Sequence, residues 1–249
     1  MIKLKSSENI EKMKAAGRIT AGALEAAREH IRPGETPLKT DAAVRRYIES
    51  HGARPSFLGY GGFPGSACIS VNDTVIHGIP DHTPYKEGDI VSVDVGAYFD
   101  GWHGDSARTF FCGKVSEEAQ LLEKAAREAF YAGMAKAVPG NRIGDISAAV
   151  EEVVMSYGFS VVREYVGHGV GAALHEDPDV PNYGRAGRGV RLCEGMVIAI
   201  EPMINTGTEK VKVLDDDWTV KTLDGGLSAH YENTVAITAD GPAIMTVAD

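Results

Sequence analysis

The feature that most constrains this chain is an internal repeat. Pro33-Gly34 lies over Pro139-Gly140 at an offset of 106 residues, and the same offset carries Gly52 onto Gly158. Each Pro-Gly pair closes one apolar-periodic segment and each later glycine closes a second, as helix terminators do. Further on, Glu87 to Asp94 lies over Glu194 to Glu201 at an offset of 107, and His103-Gly104-Asp105 over His230-Tyr231-Glu232 at 127. The larger last offset implies an insertion in the second copy, between Asn205 and Thr222. A repeat of about 100 residues, helices first and antiparallel strands after, predicts an α+β fold of two pseudo-two-fold-related halves. The halves are expected at about 1–113 and 114–249, within one domain spanning 1–249 and sharing a central site.

Four helices are predicted. The first covers Ile10 to Ile31 and stops at Pro33-Gly34, and the second runs from a Thr40 or Asp41 cap to Gly52. The third runs from a Ser116 cap to Val138, and the fourth from an Asp145 cap to Gly158. Residues 67–71, 89–95 and 107–111 read as strands separated by Gly and Asp turns.

The repeat also superposes acids. Asp94 meets Glu201 and Asp105 meets Glu232. In Val91-Ser92-Val93-Asp94-Val95 the alternation places the valines on one face and Ser92 and Asp94 on the other, while Ile198 and Ile200 oppose Ala199 and Glu201. A carboxylate at the end of an apolar strand is costly to bury unless it is paired or bound to metal. Four of them converging would raise one another's pKa unless cations neutralised them. Taken alone, Asp105 in Gly104-Asp105-Ser106 reads as a turn carboxylate capping backbone amides; the symmetric set points instead to hard divalent ions. His168, in Gly167-His168-Gly169-Val170-Gly171, is the candidate nitrogen ligand, although a His between glycines serves equally as a turn histidine. Two ions roughly 3.5 to 4 Å apart, bridged by carboxylates and a water, would give a hydroxide near neutral pH and a Lewis acid, which is a hydrolase design. His175-Glu176 is followed by Asp177-Pro178, so the HExxH pattern is absent, as are a GxSxG elbow and a phosphate loop.

Composition narrows the partners. With 25 basic and 35 acidic residues the net charge is −10, which disfavours a specific nucleic-acid binder. Three cysteines without a CxxC pair suit a reducing compartment, and no apolar stretch is long enough for a membrane span or signal-peptide core, so a cytoplasmic location is expected.

At Val71-Asn72-Asp73-Thr74-Val75-Ile76-His77-Gly78-Ile79-Pro80, Asp89 to Asp94, Trp102 to Ser106, Gly167 to Gly171, Ile200-Glu201-Pro202-Met203 and Ser228 to Thr234, the sequence closely resembles the type I methionine aminopeptidase family. That family has the pita-bread (creatinase/aminopeptidase) fold, with an antiparallel sheet core and outer helices. The resemblance implies removal of the initiator methionine from nascent chains, preferring a small second residue, by attack of a metal-bridging hydroxide. It implies two divalent ions, Co, Mn, Fe(II) or Zn: Asp94 would bind one with both oxygens, Asp105 and Glu232 would bridge, and His168 and Glu201 would complete the second. Glu201 would also transfer protons, His175 would stabilise the tetrahedral intermediate, and His77 would bind substrate near the same carbonyl. Without the resemblance, His77 and His175 read as turn histidines.

Tyr60, Phe63, Cys68 and Trp218 occupy positions that would line a pocket for methionine, a long, soft, apolar side chain. Phe57, Phe63 and Leu174 depart from the usual bacterial residues there and put the pocket's shape in question. His103 and His230 adjoin the carboxylates in sequence, but the motif makes neither a ligand. The expected partner is a peptide or nascent-chain N-terminus met by a monomer, with transient ribosome contact. The rival readings are an X-Pro aminopeptidase, which shares the ligands, and a non-catalytic pita-bread binding protein. The short stretch before the first helix and the Trp218 segment favour the methionine enzyme over prolidase-like relatives.

Overall fold

The computed structural model describes residues 1–248. Helix α1 spans Ser7–Arg28, α2 Pro37–Ser50, α3 Glu117–Met134 and α4 Ile143–Ser156. The limits of α2 and α4 differ by 106 at both ends, the offset already legible at the Pro-Gly pairs. Two caps differ from expectation. Helix α2 begins a turn earlier than Thr40 or Asp41, because Thr36 accepts from the Lys39 amide and Pro37, which needs no donor partner, opens the helix. Asp41 instead accepts from the Ser66 and Ala67 amides, tying α2 to the sheet. Helix α4 begins at Ile143 with Asp145 in its third position, where the carboxylate reaches back to the Arg142 amide at 2.7 Å. Ser116 caps α3 as expected.

Every strand pairing described is antiparallel. The first half's sheet has Ile90–Phe99 at its centre, flanked by Ala67–Val71 and Trp102–Phe111. The strands around the hairpin run further than the sequence suggested, because Asp100 and Gly101, at φ 48° and 88°, form a tight two-residue turn. The second half's sheet is ordered Gly241–Ile244, Asn233–Thr238, Val197–Ile200, Gly167–Gly169 and Glu176–Val180. The inferred insertion is a hairpin, Val211–Val213 with Val220–Thr222, which crosses to pair with Thr74–Ile76 of the first half.

Helices cover each sheet from outside, and the cores repeat as the sequence does. Val44, Ile48, Val91 and Val93 pack together in the first half, and their counterparts Val150, Val154, Ile198 and Ile200 pack with Leu122 and Phe130 in the second. Each such side chain contributes roughly 1.5–3 kcal/mol by burial. This one-sided burial leaves the opposite sheet faces turned towards the middle of the molecule. There Ser92 Oγ meets Thr109 Oγ1 at 2.8 Å rather than solvent.

Strand Trp102–Phe111 is stitched to the second half along its length. The Asp105 amide donates to Thr234 Oγ1, which donates back to the Asp105 carbonyl; Ser106 Oγ donates to the Glu232 carbonyl; Thr109 Oγ1 donates to the His230 carbonyl. These bonds set Asp105 and Glu232 side by side. On the outer face, Thr20 Oγ1 of α1 donates to the Gly104 carbonyl at 3.1 Å, and a Cβ on Gly104 would lie 2.9 Å from Gly17. Only a glycine lets α1 approach so closely to the residue before Asp105.

Candidate metal centre and substrate pocket

Asp94 lies on the inward face of its strand, and Asp105 projects from the neighbouring strand opposite Gly96. Glu201 follows Val197–Ile200, and Glu232 precedes Asn233–Thr238, whose first residue pairs with Ile200. Asp105 and Glu232 are 3% and 2% exposed. Asp94 Oδ1, Asp105 Oδ1 and Glu232 Oε1 are buried with no hydrogen-bond partner in the protein. Burial pushes all four carboxyls up, Asp105 to about 7, and mutual repulsion adds to the effect for Asp94, Glu201 and Glu232.

His168 joins this cluster with the opposite tendency. Its Nδ1 lies 2.8 Å from the Gly169 carbonyl, to which it donates, so Nε2 turns a lone pair towards the acids. Nε2 is 3.6 Å from Asp105 Oδ2 and 3.5 Å from Glu201 Oε1. Burial lowers the imidazole to about 3, which keeps it neutral. A lone pair facing carboxylate oxygens is repulsive unless a cation lies between them. The orphaned oxygens, the neutral imidazole and the oxygen-rich donor set therefore fit hard or borderline divalent ions.

Two sets of donors lie within 4.8 Å of one another: Asp94, His230 and Glu232, and Asp105, His168 and Glu232. His230 is the residue that the sequence motif leaves aside. Its Nε2 is buried without a partner, 3.8 Å from Glu201 Oε2 and 3.7 Å from Glu232 Oε2. The period-2 alternation of Ser228-Ala229-His230-Tyr231-Glu232 already puts His230 on the Glu232 face. His103 Nδ1 lies 2.8 Å from Ser56 Oγ, and neither set of donors includes it.

The carboxylates form the floor of a cavity of about 640 Å³. Phe57, Phe63, Cys68 and Trp218 line its apolar side and pack in one cluster with Leu174 and Ile79. Trp218 comes from the hairpin insertion and meets Phe63 edge-on at 5.1 Å. Phe57 and Phe63 thus make this side of the cavity apolar, and Leu174 is buried in the cluster with them. Cys68 is opposite Asp94 in the sheet, and burial and the nearby acids hold its thiol protonated.

His77 follows strand Thr74–Ile76 with φ at 57°, a conformation costly for a side-chain-bearing residue and common at functional sites. Its ring meets Tyr165 at 5.7 Å and Trp218 at 6.1 Å, and burial followed by the His175 charge lowers it to about 4. His175 stands at the mouth, its ring 4.2 Å from that of His168 and its Nδ1 2.7 Å from Tyr60 Oη. Tyr60 itself is exposed at the rim rather than in the wall.

Residues 11–239 match metallopeptidase family M24. The methionine aminopeptidase of Clostridium acetobutylicum is 52% identical over 250 residues, covering 100% of each chain. Among solved structures, the methionine aminopeptidase from Rickettsia prowazekii superposes with a TM-score of 0.98 at 40% identity, over 99% of this chain and 100% of that one. The prolidase from Pyrococcus horikoshii is more distant, with a TM-score of 0.80 at 25% identity over 99% of this chain and 64% of that chain. Antiparallel sheets inside, paired helices outside and carboxylates between the halves are thus the pita-bread architecture with a divalent-metal site, and the chain belongs to metallopeptidase family M24.

Proposed function

We propose that this chain is a metal-dependent aminopeptidase that releases N-terminal methionine from peptides. The observation that carries the reading is the set of buried, unpartnered carboxylate oxygens facing a neutral imidazole beneath an apolar-walled cavity. The full-length similarity to methionine aminopeptidases supports it, whereas the prolidase similarity covers only 64% of that longer chain.

In this reading Asp94, Asp105, His168, Glu201 and Glu232 hold two divalent ions, Mn, Fe(II), Co or Zn. When bound, such ions supply Lewis acidity towards the scissile carbonyl and lower the pKa of the attacking water. The wall of Phe57, Phe63, Cys68 and Trp218 takes the methionine side chain, whose flexible thioether suits aromatic and sulfur neighbours. His77, neutral at pH 7, donates a hydrogen bond to the substrate near the scissile carbonyl without adding charge to the cavity. The Tyr60 hydroxyl donates to His175 Nδ1, leaving Nε2–H as a donor for the oxygen that gains charge as the carbonyl becomes tetrahedral. Glu201 accepts the proton of the attacking water and returns it to the leaving amine.

The reading extends to one catalytic domain built from halves 1–113 and 114–249, acting as a cytoplasmic monomer on nascent chains at the ribosome. No described helix is long and apolar enough to cross a membrane.

The test is a panel of tripeptides with Mn-loaded protein. Methionine release from Met-Ala-Ser is expected to exceed that from Met-Leu-Ser by on the order of 10²-fold, since bulk at the second residue is excluded sterically. Ala-Pro-Ala should remain intact. Preferential cleavage of Ala-Pro-Ala would assign the chain to the X-Pro enzymes, and binding of Met-Ala-Ser without hydrolysis would make it a binding protein.

A further inference from the structure

One buried ion pair has no part in the chemistry above. Lys5 Nζ lies 2.6 Å from Glu176 Oε2, with the two side chains 4% and 5% exposed. A lone surface pair contributes little, but a pair removed from water persists only where its surroundings hold both partners, and losing one strands the other. Here both are held. The Lys5 amide donates to the Gly195 carbonyl at 2.7 Å, and its ammonium also donates to the Lys3 carbonyl at 2.9 Å. The other oxygen of Glu176 accepts from the Ala173 amide at 3.2 Å.

The carboxylate thereby closes the turn that presents His175. The Gly171 amide donates to the Ala173 carbonyl, and the Gly171 carbonyl accepts from the His103 amide of the other half at 2.9 Å. A Cβ on Gly171 would lie 2.5 Å from Glu176 Oε1, so glycine backbone packs directly on the carboxylate. His175, next to Glu176 in sequence, has Tyr60 and the His168 ring as its ring partners. An imidazole at an open mouth, preceded by four turn residues, needs such backbone anchoring to hold a donor on one point.

We infer that Lys5 is a positioning residue for the aminopeptidase reaction: from the segment before α1, it fixes Glu176 and through it the direction of the His175 imidazole. The inference rests on the aminopeptidase reading, and its test separates the two. Lys5→Met keeps the stem and removes the charge. It is expected to lower kcat on Met-Ala-Ser at least tenfold while KM and Mn affinity stay within threefold, and Lys5→Arg should recover most of kcat. The His175 Cε1–H resonance should move in Lys5→Met, both in metal-free protein and with diamagnetic Zn, while those of His51 and His82 stay.

A folded Lys5→Met with kcat within threefold of wild type would overturn the inference. So would a parallel loss of kcat, KM and Mn affinity with the His175 resonance unmoved, which is the signature of general loosening. Should Lys5→Met not fold, Glu176→Gln, which keeps the shape, is expected to shift the same resonance, and an unshifted signal there would overturn it. If wild-type protein releases no methionine, the catalytic reading fails by itself and the resonance alone decides whether Lys5 positions His175.

Discussion

Glu201→Ala is expected to lower kcat/KM for Met-Ala-Ser by on the order of 10³-fold at saturating Mn, in a protein that stays folded. The loss has two sources: the carboxylate proposed to move a proton is removed, and one of the donors facing His168 Nε2 at 3.5 Å is lost. The retained fold follows from the site's own electrostatics. Glu201 is held up by burial and by the charges of Asp105 and Asp94, so in metal-free protein its removal relieves repulsion rather than breaking a favourable pair. The melting temperature without metal should therefore be unchanged or higher than that of wild type. Turnover within tenfold of wild type at defined metal would remove Glu201 from the mechanism, and a collapse of metal-free stability would contradict the repulsive cluster.

Metal-free protein should lose stability as pH rises from 7.5 to 9.0. A carboxyl whose folded pKa lies above its unfolded value contributes stability that is complete below the unfolded value and is lost as pH passes the folded one. Asp105 is pushed up to about 7, and Asp94, Glu201 and Glu232 stand well above their ordinary range. His77, His168 and His230 act in the opposite sense, being lowered to about 4, 3 and 3, so their stabilisation is lost as pH falls below the ordinary value of 6.5. Up to about pH 7.5 the two trends oppose each other; above it the histidines are neutral in both states and the carboxyls act alone. Each proton the folded state retains is then worth about 2 kcal/mol over this interval. For a chain of this size that is a fall of roughly 4–8 °C in melting temperature. Urea titrations at the two pH values in chelator measure it directly. Saturating Mn should abolish or reverse the trend, because the ion displaces those protons and binds more tightly as pH rises. A metal-free stability that is flat or rises across the interval would contradict the cluster's charge state.

Much of this was legible in the sequence because the repeat acts as an internal alignment. The Pro-Gly pairs and strand-end acids recur at nearly constant offsets, so α2 predicts α4, and Asp94 and Asp105 predict Glu201 and Glu232. Local signals were less decisive where polar residues competed. Thr36, Thr40 and Asp41 all have cap chemistry; Pro37 selected the first, and a contact with the Ser66 and Ala67 amides engaged the last. What periodicity could not reveal is the set of bonds between distant segments: Thr234 to Asp105, Tyr60 to His175, and Lys5 to Glu176. These depend on how the halves dock, a three-dimensional relation with no period of its own. His230 lies between the two cases. Alternation put it on the Glu232 face, but only the docked structure brings its ring to Glu201.

The central claim is that the cluster exists to hold divalent ions for peptide hydrolysis. It is tested most directly by titrating Mn into metal-stripped protein while counting bound ions and following methionine release from Met-Ala-Ser in the same samples. We predict no release without metal, activity that rises with site occupancy, and binding that saturates at two ions per chain. Full release in excess chelator, or saturation of the carboxylate site with no methionine released, would contradict it.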